Sequence, residues 1–517
     1  MKRSLRILAL TLSVLLAATM LPAIGLADAA GEEVTLTLMF GEHATELYHE
    51  DTWVIIPWAK EHYNVNLAIT AIPSSDWSTK QSTVIASGDI PDLLMGIGRD
   101  VANEYGPKGL FLNLYNYMDQ MPDMVDCMEK LPLLKDWMFY SENEIYSQAT
   151  TIATDGAVNM CAYYIMFARR DIMDQLGIAD MPTTFEGLHD LLAAMKEAYP
   201  ETYPWINRQK FDMILNVFSP GLGINVSPQA CNHTGYAVWN EDSQTFTSIM
   251  DEENFKWFLG WMKQLYAEGL LDPNYAVDDT STWQDKLDNS QGFFSVDYFS
   301  RPDTMTGSGR QVTEGFELEA MLPPALEDGQ AKVYANVGIG GSNVFSAKCA
   351  NPERLAQLLN GWYYTEEGCL ATTYGIEGET YFKHDDNTLS KVYSDEVPTS
   401  LDFDAAYGCN YLTFYAFKPD FFGYDLYDVN QSDVYNKTWN LFKDEMIDLP
   451  PTILFTPDEQ EEYADFGADL TTTLRNVFNE FIIGRRDLEA DWEDAIEELD
   501  DAGYSDYLEL LNAAYNR

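Results

Sequence analysis

The fold is indicated by the stretch VTLTLMFG at residues 34–41, in which β-branched and apolar residues alternate up to a glycine. This pattern predicts a buried strand. A second apolar run, VNLAITAI at residues 65–72, ends at a proline and predicts a second strand. Ser75 can then cap a helix that runs to Ile85, and LLM at residues 93–95 predicts a third strand. Strand, helix and strand in this order predict a βαβ unit with a parallel sheet.

The chain is too long to fold around one hydrophobic core. It has 517 residues, whereas single cores stop growing at roughly 250–300 residues. Hydrophobic residues make up 46% and charged residues 22%, as in an ordinary globular protein. Strand and helix patterns recur downstream, with a capping pattern at residues 183–186, a hairpin at 236–247 and a glycine-rich passage at 338–342. We therefore expect an α/β protein with two large lobes.

The N-terminus has the three parts of a secretory signal. Lys2, Arg3 and Arg6 precede an uncharged apolar run at residues 7–21, and small residues follow in ADA at residues 27–29. This order predicts a signal peptide over residues 1–29, cleaved on export, because the apolar run is short for a membrane anchor. No later stretch has the length and hydropathy of a membrane span, so we expect an exported, soluble mature protein.

The charge excludes some classes of partner. The formal net charge is −52, from 83 acidic and 31 basic residues. Such a surface repels nucleic acid and anionic lipid, and no basic patch offsets it. The charge favours neutral or cationic ligands over anionic ones.

The cysteines and the histidines do not indicate a metal or redox site. Six cysteines lie without C-x-x-C spacing, which argues against zinc and thioredoxin-like chemistry, and we expect free thiols: Cys127, Cys161, Cys231, Cys349, Cys369 and Cys409. His43, Glu46 and His49 have ligand-like spacing, but we interpret them as a solvated loop. We expect no cofactor, and a structural calcium ion in an Asp-rich turn such as residues 385–387 is the alternative left open.

Four motifs carry a family resemblance. ASGDIPDL at residues 86–93 and LYAEGLLDP at residues 265–273 are two of them. LNGWYYTEEG with YGIEGE, at residues 359–379, is the third, and RDIMDQLGI followed by PTTF, at residues 170–185, is the fourth. In this order they resemble family 1 extracellular solute-binding proteins, the carbohydrate receptors of ABC importers, and specifically their LipO-like branch. Their glycines and prolines also suit turns and helix ends, so the motifs identify the architecture more than the binding site.

The resemblance implies a type II-like periplasmic-binding fold, with two lobes that each contain a mostly parallel sheet flanked by helices. We expect lobe 1 at residues 32–160 plus about 300–400, and lobe 2 at residues 165–300 plus about 400–517. The implied function is to bind a carbohydrate, presumed an oligosaccharide, in the cleft between the lobes and to deliver it to ABC permease subunits, as a monomer. The chain departs from relatives whose signal ends in a lipid-modified cysteine, because its first cysteine is Cys127. We therefore expect a periplasmic or extracellular protein without that anchor.

Candidate ligand contacts are aromatic or polar residues outside the amphipathic stripes. Aromatic rings stack on the C–H faces of sugars, polar groups bind hydroxyls, and open α/β sheets hold ligands at the carboxyl ends of strands. Most aromatics nevertheless fill cores. The candidates are Phe40, Glu42, Trp77, Arg99, Trp205, Trp239, Trp283, Asp297, Tyr298, Trp362 and Tyr374.

Two other functions stay open from the sequence. A secreted polysaccharide-active enzyme is one, although neighbouring carboxylates mean little in a chain with 83 acids, and no G-x-S-x-G or H-E-x-x-H motif occurs. A receptor of the same fold for a peptide or another small solute is the other. We expect no catalytic residues.

Overall fold

The computed structural model describes residues 32–42, 47–153, 164–208, 211–226, 236–327, 331–335, 338–394, 397, 400–410, 414–417, 419–424 and 432–517. The predicted signal peptide, together with His43 and Glu46 of the histidine loop, lies outside these residues. Within the described ranges, no helix combines the length and the apolar character that a membrane span requires.

Strands and helices alternate along the chain. The strands are β1 Val34–Glu42, β2 Val65–Pro73, β3 Leu93–Leu94, β4 Gln148–Ala153, β5 Tyr164–Arg169, β6 Ala237–Asn240, β7 Thr245–Ser248, β8 Phe294–Tyr298, β9 Leu318–Met321, β10 Val333–Tyr334, β11 Gly338–Phe345, β12 Tyr381–Lys383, β13 Leu389–Lys391 and β14 Met446–Ile447. The helices are α1 Ile55–Tyr63, α2 Ser74–Ser87, α3 Arg99–Tyr105, α4 Pro122–Lys130, α5 Pro132–Met138, α6 Arg170–Gln175, α7 Phe185–Ala198, α8 Asp212–Phe218, α9 Glu253–Ala267, α10 Thr280–Asp288, α11 Arg301–Val312, α12 Pro352–Tyr364, α13 Glu366–Thr373, α14 Ser400–Tyr407, α15 Asp433–Phe442, α16 Pro457–Ala464, α17 Gly467–Ile482, α18 Trp492–Asp501 and α19 Tyr504–Tyr515. Short 3-10 turns lie at Leu114–Gln120, Pro220–Leu222, Ile249–Asp251 and Pro419–Phe422.

The first sheet contains the predicted βαβ unit. Its strand order is β2-β1-β3-β11-β4, and β1 pairs in parallel with both β2 and β3. The predicted helix between the strands is α2, which begins at Ser74, one residue before the predicted cap, and has no side-chain cap. It ends at Gly88, whose φ of 67° is in the left-handed region that glycine adopts without strain. The parallel βαβ unit is therefore confirmed.

The motif at residues 86–93 has a structural role at the start of β3. The carboxylate of Asp92 accepts hydrogen bonds from the backbone N–H of Thr37 at 2.8 Å and from its hydroxyl at 2.9 Å. In return, the Thr37 hydroxyl accepts a hydrogen bond from the backbone N–H of Asp92 at 2.9 Å. This reciprocal pair fixes β3 beside β1, so the motif aligns strands.

The second sheet differs in pairing from a mostly parallel sheet. Its named strands have the order β8-β5-β9, and β5 is antiparallel to both neighbours. Trp205 adds parallel bridges to Leu271 and to Phe294 of β8. The strands on both sides of β5 therefore run in one common direction, and β5 alone is reversed. The common direction of β8 and β9 agrees with the predicted parallel sheet. The prediction is wrong for β5, which pairs antiparallel with both of these strands.

Each sheet lies in its own hydrophobic core. The larger cluster of buried apolar residues draws on residues 164–321 and 453–511, and the next on residues 36–152, 345–371 and 414–417. Trp205, Phe218 and Phe258 are typical of the larger cluster, with ring centroids 5.2–5.7 Å apart where they contact. Two cores in a chain of this length agree with the limit on core size.

The reversed strands show how the two sheets are connected. β4 runs in the direction of β1 and ends at the carboxyl edge of the first sheet, and β5, the next strand, begins at the carboxyl edge of the second. Likewise, β9 ends at the carboxyl edge of the second sheet, and β11 begins at the carboxyl edge of the first sheet. A strand that enters from the carboxyl edge must run antiparallel to its neighbours. The glycine-rich residues 338–342, the candidate for a passage between lobes, form the start of β11, which enters the first sheet from its carboxyl edge.

Candidate functional site

The site is defined by the carboxyl edges of the two sheets. In the first sheet, β1 lies between β2 and β3, so the crossover from β1 to β2 and the crossover from β2 to β3 run in opposite directions across the sheet. Open α/β sheets bind ligands at the carboxyl ends of strands at such a switch point. Because two chain passages connect one carboxyl edge with the other, we treat the two edges as the opposing walls of one site.

The first edge is defined here by Gly41 and Glu42 at the end of β1, Trp77 in α2 and Arg99 after β3. The Glu42 carboxylate accepts a hydrogen bond from the backbone N–H of Tyr48 at 2.7 Å. The indole of Trp77 lies directly on Gly41, where an added Cβ atom would be 2.5 Å from the Trp77 Cγ. Glycine is therefore what allows the half-buried Trp77 to lie across the end of β1.

Polar groups behind the first edge hold its loop in place. Gly96 has a φ of 69°, its N–H donates to Oδ1 of Asn343 at 2.9 Å, and its carbonyl accepts from Nε2 of Gln81 at 3.0 Å. The Nε of Arg99 donates to the carbonyl of Trp137 at 2.7 Å, and its guanidinium lies 5.6 Å from that indole. Burial lowers the pKa of Arg99 from its usual value. Arg99 thus packs against Trp137 through a hydrogen bond and a cation–π contact.

The second edge is defined here by Arg208, Asp297, Tyr298 and Arg301. Asp297 has no exposed surface and accepts from Nε of Arg208 at 2.5 Å and from Nη2 of Arg208 at 2.9 Å. The same carboxylate accepts from Nε of Arg301 at 3.1 Å and from the backbone N–H of Tyr298 at 2.8 Å. Paired hydrogen bonds to a carboxylate fix the plane of a guanidinium. One buried carboxylate therefore orients two arginines.

Aromatic rings enclose the Arg208 guanidinium, which also donates to the Thr280 hydroxyl at 2.7 Å. Its carbon lies 5.2 Å from the Trp283 ring and 5.6 Å from the Tyr298 ring. The bonds to Asp297 outweigh burial and raise the pKa of Arg208, so it stays charged. Tyr298 is half-buried and contacts Tyr164 at a centroid distance of 5.0 Å.

The structure thus brings Asp297 and Tyr298 together at the second edge and places Glu42, Trp77 and Arg99 at the first. Trp283 lies in a core, 5.2 Å from the Arg208 guanidinium, and supports that arginine without offering a face to a ligand. Sequence reasoning missed Arg208 and Arg301. Arg301 follows β8 closely and could have been found by the strand-end rule that gave Arg99. Arg208 had no such signal, because the segment with Trp205 forms only single bridges and its sequence does not indicate a strand.

The other five candidates lie in cores. Phe40, Trp205 and Trp362 have no exposed surface, and Trp239 is buried against Phe246 and Tyr515. Tyr374 is buried beside Tyr381, at a centroid distance of 5.7 Å. Side chains without accessible surface have no face to offer a sugar, so we leave these residues out of the site: Phe40, Trp205, Trp239, Trp362 and Tyr374.

The described residues hold no group of three His, Cys, Asp or Glu side chains that could ligate a metal ion. The Asp-rich turn at residues 385–387 connects β12 to β13, and Asp386 accepts from the backbone N–H of Thr388 at 3.1 Å and from its hydroxyl at 2.6 Å. Asp386 thus serves the hairpin turn. No disulfide bond joins the four described cysteines, which are Cys127, Cys349, Cys369 and Cys409.

Sequence comparisons support this architecture. Residues 41–287 match the family described as bacterial extracellular solute-binding protein. Lipoprotein LipO of Bacillus subtilis is 22% identical over 468 residues, which cover 87% of this chain and 86% of LipO. The fructooligosaccharide ABC transporter substrate-binding protein FusA of Streptococcus pneumoniae is 23% identical over 476 residues, covering 86% of this chain and 83% of FusA.

Solved structures show the same two-lobed fold. The alginate-binding protein AlgQ2, solved without calcium ion, superposes with a TM-score of 0.74 at 18% identity, covering 95% of this chain and 99% of AlgQ2. FusA in complex with kestose superposes with a TM-score of 0.73 at 19% identity, covering 93% of this chain and 99% of FusA. With the matched residues 41–287, the relatives along nearly the whole length and the shared fold, this chain is similar to the bacterial extracellular solute-binding proteins.

Proposed function

We propose that this chain is the exported receptor of an ABC importer and that it binds an oligosaccharide between the first edge and the second edge. The observation that carries the proposal is the pair of half-buried aromatic rings, Trp77 on one edge and Tyr298 on the other. Each ring is fixed, Trp77 by its contact with Gly41 and Tyr298 by two guanidinium groups within 5.7 Å.

The chemistry of the two edges suits a sugar. Each ring offers an apolar face to the C–H groups of a pyranose or furanose, and polar groups beside it bind hydroxyls. Glu42 supplies acceptor oxygens at the first edge, and Arg301 supplies donors at the second. Closure of the lobes on a ligand would remove water from these hydrogen bonds, and the closed form is then the signal that a permease reads.

The two lobes follow the two cores. We place lobe 1 at residues 32–153 plus 338–424 and lobe 2 at residues 164–335 plus 432–517. The boundary expected near residue 300 moves to after residue 335 because β9 pairs with β5. The boundary expected near 400 moves to after residue 424 because Val54 donates from its backbone N–H to the carbonyl of Tyr407 at 3.0 Å.

The names of relatives support a carbohydrate ligand and a receptor role. FusA is a fructooligosaccharide substrate-binding protein, YtcQ of Bacillus subtilis binds polygalacturonan and rhamnogalacturonan, and AlgQ2 binds alginate. A transport receptor must leave the glycan intact, so we assign no catalytic residue. A polysaccharide-active enzyme is the competing function, and product formation would reveal it.

The remaining parts of the proposal concern assembly. The partners are ABC permease subunits, as the name of FusA suggests, and the receptor is a monomer. Export follows from the predicted signal over residues 1–29, and the relative LipO is a lipoprotein. Calcium is not part of the proposed binding mechanism, since Asp386 is used by its turn.

Calorimetric titration with a panel of oligosaccharides tests the function, with sugar products assayed in parallel. We expect saturable binding without turnover for at least one saccharide. Trp77→Ala and Tyr298→Ala should each weaken that binding about tenfold, or ~1.4 kcal/mol, because each removes a stacking face.

Trp257→Ala is the matched control, since Trp257 is 43% exposed on α9, away from both edges in sequence, and should leave the affinity unchanged. Glycan cleavage by the pure protein would replace the proposal with an enzyme. Binding of peptides alone would replace it with a peptide receptor.

A further inference from the structure

The second edge carries an unequal number of opposite charges. Arg208 and Arg301 share the single carboxylate of Asp297. Arg208 takes both oxygens of Asp297 in a paired contact and is buried. The cluster therefore has a net charge of about +1 in a chain whose total is −52.

Arg301 has unused donors. Its Nε donates to Asp297, and its guanidinium carbon lies 5.7 Å from the Tyr298 ring. Within the described part of the chain, no hydrogen bond forms at its terminal nitrogens, Nη1 and Nη2, although the side chain is only 18% exposed. An arginine that is anchored at Nε and stacked on a ring presents the two terminal nitrogens in a fixed plane.

Nearby acids are engaged with other partners. Asp303, two residues further along α11, accepts a hydrogen bond from the Ser432 hydroxyl. Glu317 lies 3.8 Å from Nζ of Lys437 and 4.0 Å from Nη2 of Arg310. These pairings leave Asp297 as the one acid that contacts Arg301 among the described residues.

Lobe closure makes this imbalance matter. When water leaves a site, an ionised group without a counter-charge becomes costly, while a paired one does not. A neutral sugar would satisfy the hydrogen bonds of Arg301 but leave the excess positive charge in a dry cleft. A ligand carboxylate would supply both the acceptors and the missing charge, in the paired geometry that guanidinium favours.

We propose that Arg301 binds the carboxylate of a uronic acid, so that the ligand is an acidic oligosaccharide. This inference rests on the proposed function and reverses, for this one position, the preference for neutral ligands that the total charge suggests. Long-range repulsion from the acidic surface is screened by salt, whereas the contact at Arg301 is short and enclosed. Association of an acidic ligand should therefore become faster as salt is raised from low concentration.

The test compares two trisaccharides that differ only in oxidation at C6, α-1,4-trigalacturonate and α-1,4-galactotriose, by calorimetry. We expect the acidic one to bind at least tenfold more tightly to the unaltered mature protein. Arg301→Gln, which removes the charge but keeps a hydrogen-bond donor, should remove this difference by weakening trigalacturonate at least tenfold more than galactotriose. The same comparison with oligomannuronate and its carboxyl-reduced form covers a different sugar backbone.

Arg310→Gln is the control on the same helix, since Arg310 lies at the other end of α11 and its side chain is 55% exposed. It should keep the preference for the acid, and both variants should melt within a few degrees of the parent. Neutral saccharides that bind as tightly as their acidic partners would overturn this inference and leave the receptor function intact. Failure of every saccharide to bind would overturn both.

Discussion

The two lobes differ in how they bury charge. Of the eight charged side chains that are buried among the described residues, Lys391 lies outside the segment 164–321 that contributes to the larger core, and the other seven lie within it: Arg169, Arg170, Arg208, Asp212, Asp272, Asp288 and Asp297. The first edge is shaped by a glycine beneath an indole, whereas the second is shaped by a carboxylate between arginines. The first edge is therefore a matter of van der Waals fit and the second of electrostatic compensation.

This difference has consequences for stability and for recognition. Packed contacts tolerate changes of pH and salt, while buried ions depend on the partner that balances each of them. Asp297 is balanced twice, by Arg208 and by Arg301. Asp288 has one buried oxygen, Oδ1, that finds no hydrogen-bond partner among the described residues. Substitutions on each edge test whether packing governs the first edge and charge compensation the second.

The largest effect is expected from Asp297→Ala. Removal of this carboxylate leaves buried Arg208 without a counter-ion, which costs about 3–5 kcal/mol of unfolding free energy. Urea denaturation followed by circular dichroism measures the loss. Asp242→Asn is the control, because Asp242 is exposed in the β6–β7 turn and should change stability by less than about 0.5 kcal/mol. A loss below about 1 kcal/mol for Asp297→Ala would mean that the second edge does not depend on charge compensation.

A smaller effect is expected from Gly41→Ala at the first edge. The added methyl group would lie 2.5 Å from the Trp77 ring, so the indole must move, at a cost of about 1–3 kcal/mol. The loss should be independent of salt, in contrast to changes at the second edge. Denaturation at two salt concentrations measures both quantities.

Two companions sharpen that result. Gly98→Ala is the matched control, since no atom of the described residues lies within 4 Å of a Cβ atom built at Gly98. The double variant Gly41→Ala with Trp77→Ala should lose less than the sum of the two single variants, because the clash disappears with the ring. Strictly additive losses would show that Trp77 does not rest on Gly41.

The smallest effect concerns pH. Burial raises the pKa of Asp288 to about 6, from an ordinary value of 3.8. The folded protein therefore holds this proton more tightly than the unfolded chain, and the stabilisation present below about pH 4 is lost as pH rises through 6. Asp288→Asn should be more stable than the parent by about 1–2 kcal/mol at pH 7 and equal to it at pH 4. Thermal melts at these two pH values measure it, and an equal gain at both would exclude titration of Asp288 as the cause.

Sequence patterns predicted the local architecture well where strands are continuous. The alternation at residues 34–41 and the run at 65–72 became β1 and β2, and the helix predicted to run to Ile85 became α2, which ends at Ser87. The pairing around β5 could not be predicted, because strand direction is set by where a distant segment enters the sheet. The sequence also could not separate buried from accessible aromatic residues. Trp77 and Trp362 are the same residue type, but tertiary packing buries Trp362 completely and leaves Trp77 half-buried.

By itself, the sequence indicated the family resemblance, the alternation of strands and helices, and the need for more than one core. Motifs and periodicity are local properties of the residues, and chain length sets the size of the core. Only the tertiary structure decided which side chains form the second edge. Arg208 and Asp297 are 89 residues apart in the chain, yet their charged groups share hydrogen bonds. The pairing of distant charges depends on the fold that brings them together, and a single sequence carries no periodic signal for it.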